Sequence, residues 1–210
     1  MSGDAQQGTV ATALSAPIVV KVTDASNRAV PGVTVTFMPM AGDGNVKPAQ
    51  ATTDNGGVAL TTWTMPPVAA DLMTLDVSVP RGEAISPIVA TVHAKAIPDA
   101  VAALSIVVEP DRVAVSGTPL ISQPVLRLVD RFGNDVPQAN VVVAVAAIGD
   151  SFTHILGGSL SLLTDDLGRA TFYGLTIYGP ADNLSLVFSA RQVPVAPVTS
   201  TSVDLLPSGT

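Results

Sequence analysis

The chain has 210 residues, 47% hydrophobic and only 13% charged, with a net charge of −7 and no cysteine. That length suits two domains of ordinary size. Few bases and no basic cluster exclude an electrostatic footprint for nucleic acid, and the lack of Cys excludes disulfides, thiolate catalysis and zinc–thiolate sites. No apolar run approaches a membrane span, so no membrane insertion is expected. Seventeen Gly and seventeen Pro argue against long helices and for short strands joined by turns.

The first elements follow from alternation and turn chemistry. A first strand region covers Gly8–Ala13. From Pro17 to Thr23, the residues Ile18, Val20 and Val22 share one face, opposite Val19, Lys21 and Thr23. Asp24–Arg28 is a polar turn, and Pro31-Gly32 marks the next corner. Val33, Val35 and Phe37 alternate with Thr34 and Thr36. Ala41–Asn45 is a Gly-rich loop built for positive φ. Asp54-Asn-Gly-Gly57 turns into Val58–Thr64, Leu75–Val79 alternates again, and Val89–Ala94 closes the set. About seven short strands of this kind make a sandwich.

The chain then repeats itself. IVVKVTDASNRAVPGV at 18–33 is answered by PVLRLVDRFGNDVPQA at 124–139, and TTDNGGVA at 52–59 by LTDDLGRA at 163–170. The period is about a hundred residues, so each copy is a domain. The expected domains are 1–97 and 98–210, with Pro98 stiffening the join. In copy two Leu126 and Leu128 take the inward places of Val20 and Val22, and Arg127 takes that of Lys21. Thr61 and Trp63 correspond to Phe172 and Gly174, which reads as an exchange of large and small on one strand face. Trp63 is therefore expected in the core.

Catalytic constellations are lacking. His93 and His154 fall in different copies, and no Gly-x-Ser-x-Gly, phosphate loop or His-Glu-x-x-His pattern occurs. No enzyme activity and no cofactor are expected. Calcium would need six to eight converging oxygens. Asp130, Asn134, Asp165 and Asp166 are the first place to look, against a reading as local Asx turns. Copy two has five extra residues between the matched motifs, placed around Ile148–Gly158. Phe152, His154 and Ile155 in that loop are binding-loop candidates, against a loop folded back on the sandwich edge.

The strings IVVKVTDASNRAVPGVTVTF, AGDGNV, TTDNGGVALTTWT and PIVATVHAKA resemble the bacterial immunoglobulin-like domain of the invasin/intimin type. PVLRLVDRFGNDVPQANVVV and LTDDLGRATFYGLTIYGPADNLSLVFSA resemble related repeats of bacterial surface and phage virion proteins. The resemblance implies an all-β fold of two tandem immunoglobulin-like Greek-key β-sandwiches. It implies a stalk or spacer that is sometimes adhesive. The cysteine-bearing tip of invasin-type proteins has no counterpart here.

The expected function is thus a non-enzymatic structural or adhesive module of a bacterial cell surface or extracellular filament. Its partners are proteins, including a neighbouring copy paired through sheet edges at Gly8–Ala13 or Val198–Leu205. The segment MSGDAQQGTV has no secretory character, which makes a virion component the alternative. A carbohydrate-binding module is a further alternative. It requires exposed aromatics on one face, whereas most aromatics here fall on inward positions.

Overall fold

A computed structural model describes residues 1–81, 86–149, 155–179 and 183–208. These residues form strands and turns, without a helix among them. They divide into two compact units, Met1–Asp99 and Ala100–Thr210.

The first unit contains β1 (Gln6–Thr9), β2 (Ile18–Lys21), β3 (Thr34–Pro39), β4 (Asn45–Lys47), β5 (Gln50–Thr52), β6 (Val58–Thr64), β7 (Ala70–Val79) and β8 (Ile88–Ile97). One sheet runs β1-β8-β7-β3-β5 and the other β2-β6-β4. The chain crosses between sheets from β2 to β3 and again from β6 to β7. The pairs β2/β6 and β3/β7 therefore interlock, which makes the Greek key of an immunoglobulin-like sandwich. Period-2 alternation decides which side chains meet inside. Ile18, Val20, Ala59 and Trp63 from the small sheet face Val35, Phe37, Leu75, Val77 and Val92 from the large one, all buried.

The second unit contains β9 (Ala103–Val108), β10 (Val113–Val115), β11 (Val125–Val129), β12 (Val142–Ile148), β13 (Ile155–Gly157), β14 (Ser161–Leu163), β15 (Arg169–Thr171), β16 (Thr176–Tyr178), β17 (Ser185–Ala190), β18 (Val198–Thr199) and β19 (Asp204–Leu206). The sheet β15-β11-β9 faces β14-β12-β17-β18, with the ribbons β13-β16 and β10-β19 at their margins. The interlocked pairs recur as β11/β15 and β12/β17. Leu126, Leu128, Ala170 and Phe172 meet Val143, Val145, Leu186 and Phe188 in one core. Phe172 and Phe188 touch edge-to-face across the sheets at 5.4 Å.

Trp63 is fully buried, and its indole N–H donates to the Asp43 carbonyl at 2.8 Å. The expected exchange with Gly174 is not found. The strand ends before Gly174, which is exposed in a turn at φ +63°. The side chain of Gln123 causes this break. It accepts from Leu175 N (2.9 Å) and donates to Leu120 O (2.7 Å), replacing ladder bonds with its own.

The terminal edges are also narrower than expected. Of Gly8–Ala13 only Gly8 and Thr9 lie along the sheet edge, as the end of β1, which starts earlier at Gln6. Val10 is buried, and the chain then switches sheets, with Leu14 N donating to Trp63 O and Met65 N to Thr12 O. Of Val198–Leu205, β18 is an edge, Val203 is buried against Leu184, and Asp204 begins the strand paired with β10.

Candidate functional site

One turn is used four times. In Asp24–Arg28, Asp54–Val58, Asp130–Asn134 and Asp165–Arg169, Oδ1 of the first residue accepts from the backbone N–H groups two and four residues on. All eight bonds measure 2.8–2.9 Å. The fourth residue carries the positive φ that closes the turn: Asn27 (62°), Gly57 (73°), Gly133 (86°) and Gly168 (75°). An aspartate that imitates a backbone carbonyl, followed by a residue tolerant of left-handed φ, is what this geometry requires. At Asp24 the Arg28 N–H is the main cause holding the carboxyl below its ordinary range.

The two turns of each unit are held side by side by one strand residue. Leu128 N donates to Gly168 O (3.0 Å), and Leu128 O accepts from Val136 N (2.9 Å). Val22 does the same with Gly57 (2.8 Å) and Val30 (3.1 Å). The Gly168 site has no room for a side chain, because a Cβ would lie 2.0 Å from the Val136 oxygen.

This geometry accounts for the calcium candidates. Asp130 is buried, its Oδ1 serves the turn, and its Oδ2 accepts from Asn134 Nδ2 at 2.9 Å. Asp165 serves the neighbouring turn, and Asp166 is exposed at its tip. The structure brings Asp130 and Asn134 together in one turn and Asp165 and Asp166 into the next. Among the described residues no three His, Asp or Glu side chains converge as a metal-binding group.

Turn tips differ between the units. The first unit carries Ala25-Ser26 and Asn55-Gly56 there; the second carries Arg131-Phe132 and Asp166-Leu167. Phe132 is 40% and Leu167 61% exposed, and the Arg131 guanidinium lies 4.7 Å from the Phe132 ring centre. At the base of these turns, Arg127 Nη1 donates to Asp135 Oδ1 (2.5 Å), and Arg169 Nη2 lies 3.4 Å from Asp135 Oδ2. The corresponding residues of the first unit are Lys21, Ala29 and Val58, which place no such cluster there. Sequence reasoning placed Arg127 on the outward face but missed this triad, because Asp135 arrives by a fold-back after the turn.

Of the binding-loop candidates, Phe152 and His154 lie outside the described residues. Ile155 opens β13 opposite Tyr178 and is 67% exposed. Tyr178 itself lies against Gly117 and Gly157. The aromatics are less inward than expected. Phe132, Tyr173 and Tyr178 are exposed, all in the second unit, while Trp63, Phe37, Phe172 and Phe188 are buried.

In the first unit an open groove of about 890 Å³ lies between Thr36–Met40 and Asn45–Gln50. Pro39 on its strand has no N–H to offer an added strand, and Pro48 stands on the opposite rim. His93 is exposed on β8, and its Nδ1 is 4.0 Å from Asp4 Oδ1.

No protein-family model and no curated relative matches the sequence. Among solved structures, the chain is similar to the D0-D1 domain of intimin, at 18% identity and TM-score 0.36, covering 97% of this chain and 95% of that one. It is similar to the D00-D0 domain of intimin, at 12% identity and TM-score 0.45, covering 97% and 96%. InvD of Yersinia pseudotuberculosis shares 19% identity at TM-score 0.47, over 96% of this chain and 55% of InvD. These likenesses add nothing to what the strands and cores themselves establish.

Proposed function

We propose that the protein is a non-enzymatic, load-bearing structural or adhesive module of a bacterial cell surface or extracellular filament. A parallel pair that ties an early strand of each unit to its last strand carries this reading. β1 runs parallel to β8, with Gln6 opposite Ala94 and Thr9 opposite Ile97. β10 runs parallel to β19, with Val113 opposite Asp204 and Val115 opposite Leu206. In the first unit, force entering at the start of β1 and leaving at the end of β8 acts along these two strands. The hydrogen bonds are then sheared together rather than unzipped one at a time. Such a unit keeps its length under tension and holds its turns in place.

Forced unfolding is governed by the unfolding rate, so single-molecule extension is the direct test. Pulling the chain by its termini should give two separate force peaks. Each should release roughly 30–35 nm of chain, at about 3.3–3.6 Å per residue. Extension without resolved peaks would remove the load-bearing reading.

A further inference from the structure

We infer that the outer face of sheet β15-β11-β9 in the second unit binds an acidic oligosaccharide, with its carboxylate on Arg127 and Arg169 and a sugar ring on Tyr173. This goes beyond the load-bearing reading and stands independently of it.

The charge count comes first. Two guanidiniums share one carboxylate, that of Asp135, so the triad by itself carries a net positive charge, with Asp165 and Asp166 exposed on the adjoining turn. Its donors are far from saturated. Among the described residues, Arg127 bonds only to Asp135 through Nη1; its Nε is buried and out of a ligand's reach, which leaves Nη2 open. Arg169 reaches only Asp135, through Nη2 at 3.4 Å. Both side chains remain partly exposed, at 36% and 44%. A planar fork with free N–H groups matches a carboxylate. Arg131 stands on the neighbouring turn, and the carboxylates of Asp130, Asp165 and Asp166 share this end of the unit, so the site rests on the open guanidinium donors rather than on local net charge.

The surface beside the triad suits a sugar. Arg127 and Arg169 face each other across β11 and β15, and Val125 pairs with Thr171 in the next outward position. Tyr173 continues the outward row and is 64% exposed. Tyr173 is four residue steps beyond Arg169, about 13 Å along an extended chain, the length of two to three sugar units. An exposed ring offers an apolar face to a pyranose, and its hydroxyl offers a hydrogen bond. The first unit has Lys21, Val58 and Leu60 at Arg127, Arg169 and Thr171, so the same fold without this site is an internal control.

The test titrates the full chain at low salt, where charge contacts are least screened. The probes are a hexuronate tetrasaccharide, its neutral methyl ester and inorganic sulfate. The tetrasaccharide should bind and the ester should bind at least tenfold more weakly. Arg127→Gln and Arg169→Gln should each weaken binding at least tenfold, and Tyr173→Ala several-fold, with unchanged thermal melting. If an arginine variant fails to fold, Tyr173→Ala and the ester decide the matter. Absence of tetrasaccharide binding overturns the proposal, as do equal binding of the ester and binding indifferent to these substitutions. Sulfate bound as tightly as the tetrasaccharide also overturns it, leaving a plain anion site.

Discussion

Thr53 and Thr164 do the same work at equivalent places in the two units. Thr53 Oγ1 donates to Val30 O (2.8 Å) and accepts from Val33 N (2.9 Å). Thr164 Oγ1 donates to Gln138 O (2.7 Å) and accepts from Val141 N (3.0 Å). Each hydroxyl is buried and ties the strand before one Asp turn to the chain leaving the other. The two turns of a unit are thus fixed to one another through a single side chain.

Replacing Thr164 with Val keeps the shape and deletes both bonds. A buried N–H and C=O then lose their partner, at a cost of about 1–3 kcal/mol. Thr53→Val should cost a similar amount in the first unit. Urea titration of each variant measures this; an unchanged midpoint would show that water replaces the hydroxyl.

Gly168→Ala and Gly133→Ala separate crowding from backbone preference. Both positions have positive φ, but Gly133 has nothing within 4 Å of a would-be Cβ, whereas Gly168 faces the Val136 oxygen at 2.0 Å. Gly133→Ala should cost about 1–2 kcal/mol from φ alone, and Gly168→Ala clearly more. Equal losses by chemical denaturation would contradict the crowding.

Acid should weaken the fold in a defined sense. Asp4, Asp24, Asp71 and Asp111 all have carboxyls held below the ordinary value. The main causes are the His93 N–H at Asp4, the Arg28 N–H at Asp24 and the Lys95 ammonium at Asp71. At Asp111 burial opposes ionisation, but the Ser122 and Ile121 N–H groups outweigh it. A depressed folded-state pKa adds stability that is present above the unfolded value and lost as pH falls through the folded one. Melting temperature should therefore stay level above about pH 5 and drop below about pH 4. Asp111→Asn should narrow the gap between neutral and acid stability; an unchanged gap would rule out that contribution.

Trp63 is the chain's one tryptophan, and its indole is buried in the first unit. Its fluorescence should be blue-shifted when folded and should report that unit's unfolding alone. Trp63→Phe leaves the Asp43 carbonyl without its donor and opens a small cavity, at a cost of about 2–3 kcal/mol. Circular dichroism should then show a second transition that does not move.

Local chemistry makes much of this legible in the sequence. Alternation at Ile18–Val22 and Leu126–Leu128 gives the inward faces, because a half-buried strand has no other pattern. Asp24, Asp54, Asp130 and Asp165 announce their turns, because their bonds close within five residues. Gly174 leaves the expected face because the strand is broken by Gln123, whose side chain bonds Leu175, 52 residues on in sequence. The Arg127–Asp135–Arg169 cluster escaped notice for the same reason: its register depends on strand pairing, which no local window contains.

The parallel partnership of β1 with β8 also governs when the first unit can exist. β1 cannot be locked until β8 is present, nearly ninety residues later. During synthesis, or during passage through a narrow pore, the leading segment must wait as an unpaired strand while the core gathers around β3 and β7. Closure of the β1 edge is therefore the last event for the first unit, and a chain truncated before Ile88 would leave Gln6–Thr9 exposed as a template for its neighbours.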